Sequence, residues 1–484
     1  MRLLRNIAIF SIIDAAGMAV GVIASPIMTR LLTQEQYGAQ PLLMSVWSLA
    51  TIIQFAGMDS AFIIYSARKN QDRRAVLVTT TIIATIAALL VWLFFSAISL
   101  GTGLLQSYAG VTWIELGGFL LWILANTLLA WQLQLLRFMH EATRFARVTL
   151  IGRIASVLVA LPVMYVLPQE QRLAAMFYTY AAFAGLSLLL ALREVRAAGG
   201  QPFDSDHYDA TLTQPMIILG LALMPGALTY SLCSIVDKLL LGAYSGPGEV
   251  AILALASSVA SVVIVLKLAF SRAWDPHMVE WLATGDPKKY LPKLQAAVEF
   301  IAPSILLVTL LALSWSDTLF AIVFPATYSN ASTVMPVLVL SGALSTLCLV
   351  AIATETLSGR ARYRLPVYFA GLSANIALGI SLIPKYGVLG AAYGVLAGEF
   401  TILIFWILVG RLLLGNLQIE WGVPAAWASV AISAVLFYHP GSITGAEVAE
   451  SIIVTICCVV GAWHLVTRTL RKLRDPRSPT TNTI

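Results

Sequence analysis

The sequence predicts an all-α polytopic membrane protein of about fourteen transmembrane helices, and three observations carry that prediction. Hydrophobic residues fill 59% of the 484 positions and charged residues only 11%, under half the roughly 25% of a soluble domain. Apolar runs suited to a hydrocarbon core of about 30 Å, which takes about 20 residues of helix, recur along the whole chain. Lys and Arg gather in alternate connections, as they do in a chain that threads back and forth through a bilayer.

The first run follows Arg2 and Arg5 and continues to Leu32. A signal-peptide core has only about 7 to 15 residues and is not followed by further spans, so this run is read as the first membrane helix. Spans are placed near residues 6–30, 39–65, 75–99, 113–136, 148–167, 172–193, 214–242, 248–271, 294–315, 332–357, 364–384, 387–414, 423–439 and 446–467. With both termini inside, 26 of the 30 basic residues fall on cytoplasmic segments or span ends, Arg153, Lys267 and Arg360 among them. Arg30, Arg172 and Lys385 fall outside, and Lys238 lies within a span. A missed helix would scramble this bias, so the alternation supports the count and a cytoplasmic N- and C-terminus.

Residues 194–213, with Gly199, Gly200, Pro202, Asp204, Asp206 and Asp209, read as a cytoplasmic linker between two halves. The segment 272–293 is expected along the interface, anchored by Trp274 and Trp281. The tail 468–484 is basic and then rich in Ser, Thr and Pro, a composition that stays disordered beside anionic headgroups. An echo divides the rest. Thr29-Arg30-Leu31-Leu32 precedes Gln34-Glu35-Gln36-Tyr37-Gly38, and Asp237-Lys238-Leu239-Leu240 precedes Gly246-Pro247-Gly248-Glu249-Val250. Both loops fall on the outer side, so two parallel-topology lobes of six helices are expected, 1–193 and 214–414, with 415–467 as two appended helices.

Several function classes are excluded. The four cysteines, Cys233, Cys348, Cys457 and Cys458, lie in apolar runs without metal-ligand spacing. The net charge of +6 is distributed over short connections and not gathered on a nucleic-acid-binding face. No phosphate loop, HExxH, GxSxG or pair of glycosidase carboxylates is present, and no large outer loop offers a place for catalysis, so an enzyme is not expected. The five histidines are scattered and receive no role.

Four stretches, TRLLTQEQYG (29–38), VDKLLLGAYSGPGEVAILALA (236–256), FPATYSNASTVMPVLVLSG (324–342) and IPKYGVLGAAYGVLAGE (383–399), resemble the polysaccharide-transporter branch of the multidrug/oligosaccharidyl-lipid/polysaccharide exporter (MOP) superfamily. This branch holds the Wzx-type O-antigen and exopolysaccharide flippases. The resemblance runs from about residue 6 to 414. It implies two six-helix lobes in a V, as in the MATE exporters, alternating access, and an undecaprenyl-diphosphate-linked oligosaccharide carried across the bacterial inner membrane. Membrane lipids, and a polymerase and chain-length regulator of the same pathway, are the implied partners. No cofactor and no direct ATP use are expected; a proton or sodium ion is the candidate coupling ion.

An ionisable side chain in the bilayer costs about 2.5 to 3.5 kcal/mol on insertion scales, so each needs a partner or a purpose. Asp14, Gly17, Met18, Gly21 and Ser25 share one face of the first helix, although Asp14 also suits snorkelling to the cytoplasm. Ser48, Thr51, Phe55 and Asp59 share a face of the second, with Asp59 alternatively a solvated cap; Ser341, Ser345, Cys348, Ile352 and Glu355 share one of the tenth, and both stripes are expected to meet a hydrated lumen. Carboxylates shielded from water take up a proton or sodium ion readily, which makes Asp14 and Glu355 the leading candidates for ion coupling, with Asp59, Asp237 and Glu399 as further polar-cavity residues.

A diphosphate cargo calls for cations at depth, and arginine pairs phosphate bidentately. Arg30, Lys238, Arg153 and Arg360 are the candidate headgroup contacts. Arg153 and Arg360 are also explained by the positive-inside bias, and Asp237 beside Lys238 permits an interhelical salt bridge. Pro26 and the pair Pro225-Gly226 are candidate gating bends, or static kinks. Gly390, Gly394 and Gly398 have the spacing of close helix packing, and Trp92, Trp113, Trp122, Trp131, Trp406, Trp421 and Trp427 read as interfacial anchors. Two competing readings remain: a drug/cation antiporter on the same fold, and a non-transporting scaffold of a polysaccharide assembly complex.

Overall fold

The structure, a computed structural model, describes residues 2–55, 57–66, 72–139, 141–200, 203, 207–284, 287–358 and 363–414, with the isolated residues 431, 432 and 435. Among the described residues the regular structure is helical and no strand occurs. In chain order the helices are α1 (Arg2–Leu31), α2 (Gln34–Phe55), α3 (Met58–Ser66), α4 (Arg73–Thr102), α5 (Leu104–Ala109), α6 (Trp113–Phe138), α7 (Ala142–Thr149), a π-helical stretch (Leu150–Ala155) and α8 (Ser156–Val166). They continue with α9 (Arg172–Ala197), α10 (Ala210–Thr284), α11 (Pro287–Val323), α12 (Ala331–Ser358), α13 (Arg364–Tyr386) and α14 (Val388–Leu414). Nine described helical segments are long and apolar enough to cross a membrane. The protein is thus an all-α multi-pass membrane protein, and α1 to α14 fall on the first twelve expected spans. The last two spans and the basic tail lie outside the described residues.

Local sequence explains the breaks. Gly57 separates α2 from α3 with φ at 67°, and a Cβ there would sit 2.5 Å from the carbonyl oxygen of Gly220, so both the backbone and the close approach require glycine. Asp72 caps α4 by accepting from the amide of Arg74, and Thr112 with Glu115 forms a reciprocal capping box on α6. The helix α10 runs through two expected spans and leaves helical geometry at Gly246 (φ 81°, ψ 178°), inside the Gly246-Pro247-Gly248 turn. The segment 272–293, expected along the interface, is helical where described, as the end of α10 and the start of α11, with Gly285, Asp286 and Pro287 following Thr284 in the sequence.

The chain divides into two compact units, Met1–Ala254 and Leu255–Ile484. In the first, Met58, Phe62, Leu135, Phe145, Val195 and Met216 form a core joining α3, α6, α7, α9 and the start of α10, with Phe62 stacked on Phe138 at 4.5 Å. Beside it, Arg144 and Arg147 reach Glu194 on α9 at 3.6 and 3.3 Å. In the second, α13 and α14 pack backbone to backbone: a Cβ on Gly390 would meet Leu382, one on Gly394 would meet Asn375, and one on Gly398 would lie 3.2 Å from the carbonyl of Gly371. Small residues allow this approach where lipid supplies no hydrophobic drive between helices.

A candidate cationic path in the first unit

The residue that stands out is Arg153. The sequence places it at the cytoplasmic end of a span beginning at residue 148, but the helix starts at Ala142, and Arg153 lies in the π-helical stretch that joins α7 to α8. Arg144 and Arg147, paired with Glu194, mark the charged level of this element. Arg153 is roughly 9 Å of helix beyond Arg147. Its guanidinium lies over Gly17 of α1, where a Cβ would be 3.2 Å from Nη1 and 3.4 Å from Cδ. Gly17 is near the middle of α1, roughly 18 Å past Arg5 and roughly 21 Å before Leu31. The guanidinium therefore does not snorkel back to the Arg5 end. It is exposed, and among the described residues it has no hydrogen-bond or ion-pair partner. A topological role does not account for that placement. The π geometry, one residue wider per turn than an α-helix, is a frequent companion of functional sites.

Three other basic residues, Arg30, Lys238 and Arg172, have different surroundings. Arg30, exposed at the end of α1, donates from Nη1 to the carbonyl of Pro26 at 3.2 Å. Pro26 lacks an amide for the carbonyl of Val22, and the hydroxyl of Ser25 donates to that carbonyl at 2.8 Å, so α1 stays helical through the proline. Lys238 is half-buried and its Nζ lies 3.4 Å from Oδ2 of the preceding Asp237. The salt bridge is thus between neighbours on α10 and not between helices. Asp237 is 4% exposed, and its Oδ1 is buried without a hydrogen-bond partner among the described residues. Arg172, unexplained by orientation, donates to the carbonyls of Leu31 at 2.7 Å and Leu167 at 3.1 Å, tying α1 to the start of α9.

Of the candidate bends, Pro225 and Gly226 lie in continuous helix, with the Thr229 hydroxyl donating to the Pro225 carbonyl at 2.9 Å; the non-helical point of α10 is Gly246. The side chains of Asp14, Asp59 and Glu355 and the whole of Arg360 lie outside the described residues, although the backbones of Asp14, Asp59 and Glu355 are helical.

Within the second unit, Lys267 gives a polar contact that sequence reasoning missed. Counted there as a cytoplasmic span end, it donates from Nζ to Oγ of Ser345 at 2.7 Å, and Glu399 and Cys348 lie within its electrostatic reach. The described part of the stripe, Ser341, Ser345 and Cys348, is buried on α12, at 3%, 8% and 4% exposure. Its hydroxyls turn to the helix backbone, Ser341 to Val337 and Ser345 to Gly342. The signal was a lysine inside the apolar run 260–270. Two tryptophans also move inward: Trp131 is buried and donates to the Thr81 hydroxyl at 3.1 Å, and Trp406 is fully buried. Among the described residues no group of acidic, His or Cys side chains is spaced to hold a metal.

The family model of polysaccharide biosynthesis proteins matches residues 3–281, more than half of the chain. The chain belongs to that family. No curated protein matches. Among solved structures, the lipid II flippase MurJ in an inward closed conformation is similar with a TM-score of 0.67 at 13% identity, over 95% of this chain and 99% of that one. An inward-facing multidrug-resistance MATE transporter of the MOP superfamily gives a TM-score of 0.67 at 15% identity, over 83% and 95%. The Vibrio cholerae MATE transporter VcmN in its bent form gives 0.53 at 13%, over 90% and 100%. The likeness to these solved structures shows that the chain has the fold they share, the MOP exporter fold that the four sequence stretches predicted.

Proposed function

We propose that the chain is a flippase that moves undecaprenyl-diphosphate-linked oligosaccharide units from the cytoplasmic to the periplasmic leaflet of the bacterial inner membrane by alternating access, supplying O-antigen, capsule or exopolysaccharide synthesis. The observation that supports this reading is the Arg153 guanidinium level with the middle of α1, without a hydrogen-bond or ion-pair partner among the described residues. A cation left at that depth is costly unless an anion or water meets it, and a diphosphate offers oxygens in the geometry a guanidinium pairs best. Gly17 leaves room for the side chain, and the face it shares with Gly21 and Ser25 keeps the neighbouring surface small. Arg30, Lys238 and Arg360 are the further headgroup contacts, met as the cargo advances, while the saccharide passes inside and the polyprenyl tail remains in lipid. Asp14, Asp59, Asp237, Glu355 and Glu399 are the proposed carriers of a proton or sodium ion that drives the cycle, since 100 mV supplies about 2.3 kcal/mol per charge. On this reading both termini lie in the cytoplasm, which the basic-residue bias supports.

The multidrug MATE exporters share the fold equally, so the sign of the site charge is what separates the two readings. Purified protein in liposomes is expected to move a fluorescent polyprenyl-diphosphate saccharide and to leave a cationic dye where it is. Movement of the dye alone would replace the flippase with a cation exporter. Export that is lost on deleting the chain but unaffected by Arg30→Ala, Lys238→Ala and Arg153→Gln together would favour an assembly scaffold.

A further inference from the structure

The π-helical stretch Leu150–Ala155 is held firmly on one side and loosely on the other. Before it, α7 is tied to α9: Nη1 of Arg144 donates to the Glu194 carbonyl at 3.0 Å, and Nη1 of Arg147 to Oε1 of Glu194 at 3.3 Å. After it, α8 is apolar on every side, with the hydroxyls of Ser156 and Tyr165 as its only polar side-chain groups. The Ser156 hydroxyl donates to the carbonyl of Arg153 at 3.1 Å, within the same run of helix, and so travels with it. Lipid is as apolar as these side chains, so turning α8 exchanges one apolar face for another. The stretch itself has a close seat. A Cβ on Gly152 would lie 2.9 Å from Oγ and 3.3 Å from Cβ of Ser187 on α9. Around that seat three buried oxygens have no hydrogen-bond partner among the described residues. They are Oγ1 of Thr149, just before the stretch, Oγ of Ser187, and Oε1 of Gln132, one turn along α6 from Leu129, whose Cδ2 would lie 3.8 Å from the same Cβ.

A π turn holds one residue more than an α turn. Taking that residue back into α geometry turns the helix beyond it by about 100°, the angle of one residue, and turns Arg153, inside the stretch, by part of that. Since Glu194 holds α7, the portion free to turn is Arg153 with α8. Three unpaired oxygens leave the observed packing short of its best, and a register that pairs any of them competes with it. We propose that Gly152 seated on Ser187 holds the stretch in its π register with Arg153 over Gly17, and that return to α geometry swings the guanidinium off α1 and releases the phosphate it holds. Gly152 and Ser187 are then positioning residues for Arg153. The purpose of this switch rests on the proposed flippase, but the turning is measured without cargo, so the two readings fail separately.

The test uses the full chain with Cys233, Cys348, Cys457 and Cys458 replaced by alanine. Gly152→Cys with Ser187→Cys brings two Cβ atoms near the separation of about 3.5 to 4.5 Å that a disulfide needs. In proteoliposomes, oxidation is expected to stop leaflet exchange of a fluorescent polyprenyl-diphosphate saccharide in proportion to the fraction cross-linked, and dithiothreitol to restore it. The half-saturating cargo concentration of the remaining protein is expected to stay unchanged, the mark of a lost step and not of lost binding. Exchange that continues through full cross-linking overturns the switch. A second measurement reads the turning without cargo and decides alone if the cysteine pair fails to fold. Nitroxide labels on Leu158→Cys of α8 and Leu189→Cys of α9, both exposed positions, are expected to give a major and a minor distance by pulsed electron paramagnetic resonance. Gly152→Ala, whose methyl presses on the Ser187 hydroxyl, is expected to enrich the minor one. A single distance in both proteins overturns the switch. Two distances in a protein that moves no diphosphate lipid keep the switch and overturn the flippase.

Discussion

Replacing Arg153 by glutamine is the sharpest perturbation the structure offers. The guanidinium donates to no described residue and pairs with none, so its removal orphans no carboxylate or carbonyl among the described residues. The expected stability change is therefore that of a neutral surface substitution, within about 0.5 kcal/mol. Transport is a different matter. A charge-assisted hydrogen bond to a phosphoryl oxygen is worth about 1.5 to 3 kcal/mol, and about 1.4 kcal/mol is a factor of ten, so Arg153→Gln is expected to weaken handling of a diphosphate lipid about ten- to a hundredfold. Arg153→Lys restores the charge without the planar fork and is expected to recover part of that loss. The assay is concentration-dependent leaflet exchange of a fluorescent polyprenyl-diphosphate saccharide in proteoliposomes, with thermal unfolding of the same preparations as control. Equal half-saturation and rate for Arg153→Gln and the parent would refute the reasoning. So would a loss matched by an equal fall in Tm, since the side chain would then be holding the fold.

Gly394→Val brings branched carbons against Asn375, whose Oδ1 would lie 2.9 Å from the first of them, and is expected to cost about 1 to 3 kcal/mol, read as a lower Tm in detergent. Thr112→Ala removes one half of the capping box on α6 and is expected to cost about 1 kcal/mol in the same measurement, with Thr112→Ser largely restoring it. The Tyr108 hydroxyl lies outside the spans, and burial pushes its pKa from 10 up to about 12. Tyr108→Phe, which removes the hydroxyl that donates to the Leu239 carbonyl at 2.6 Å, is expected to cost about 0.5 to 1.5 kcal/mol, read as a lower Tm in the same measurement.

The apolar runs made the helices legible because nothing in lipid competes with a backbone that satisfies itself. Gly246-Pro247-Gly248 made the turn between the seventh and eighth spans legible for the same local reason. Arg153 was misplaced because ATRFARVT, the residues of α7, reads as a polar connection; its helix forms because Arg144 and Arg147 find Glu194 on α9, a tertiary pairing with no local signature. The π-helical stretch carries no sequence mark either. Lys267 was counted with the cytoplasmic charges because it lies near the end of its span, yet its amine turns to Ser345 on another helix. Trp131 and Trp406 read as interfacial anchors by position along their runs, while the neighbours that bury them belong to other helices.

The central claim is that Arg153 receives the phosphates of a moving lipid. Two cargoes with the same oligosaccharide and the same polyprenyl chain, one joined by a diphosphate and the other by a neutral ether, separate that claim from every nonspecific route. Leaflet exchange by the purified parent and Arg153→Gln proteins is the measurement. The diphosphate cargo is predicted to cross with the parent protein and to stall with the variant, while the ether cargo crosses with neither; equal passage of both cargoes through the parent protein would contradict it.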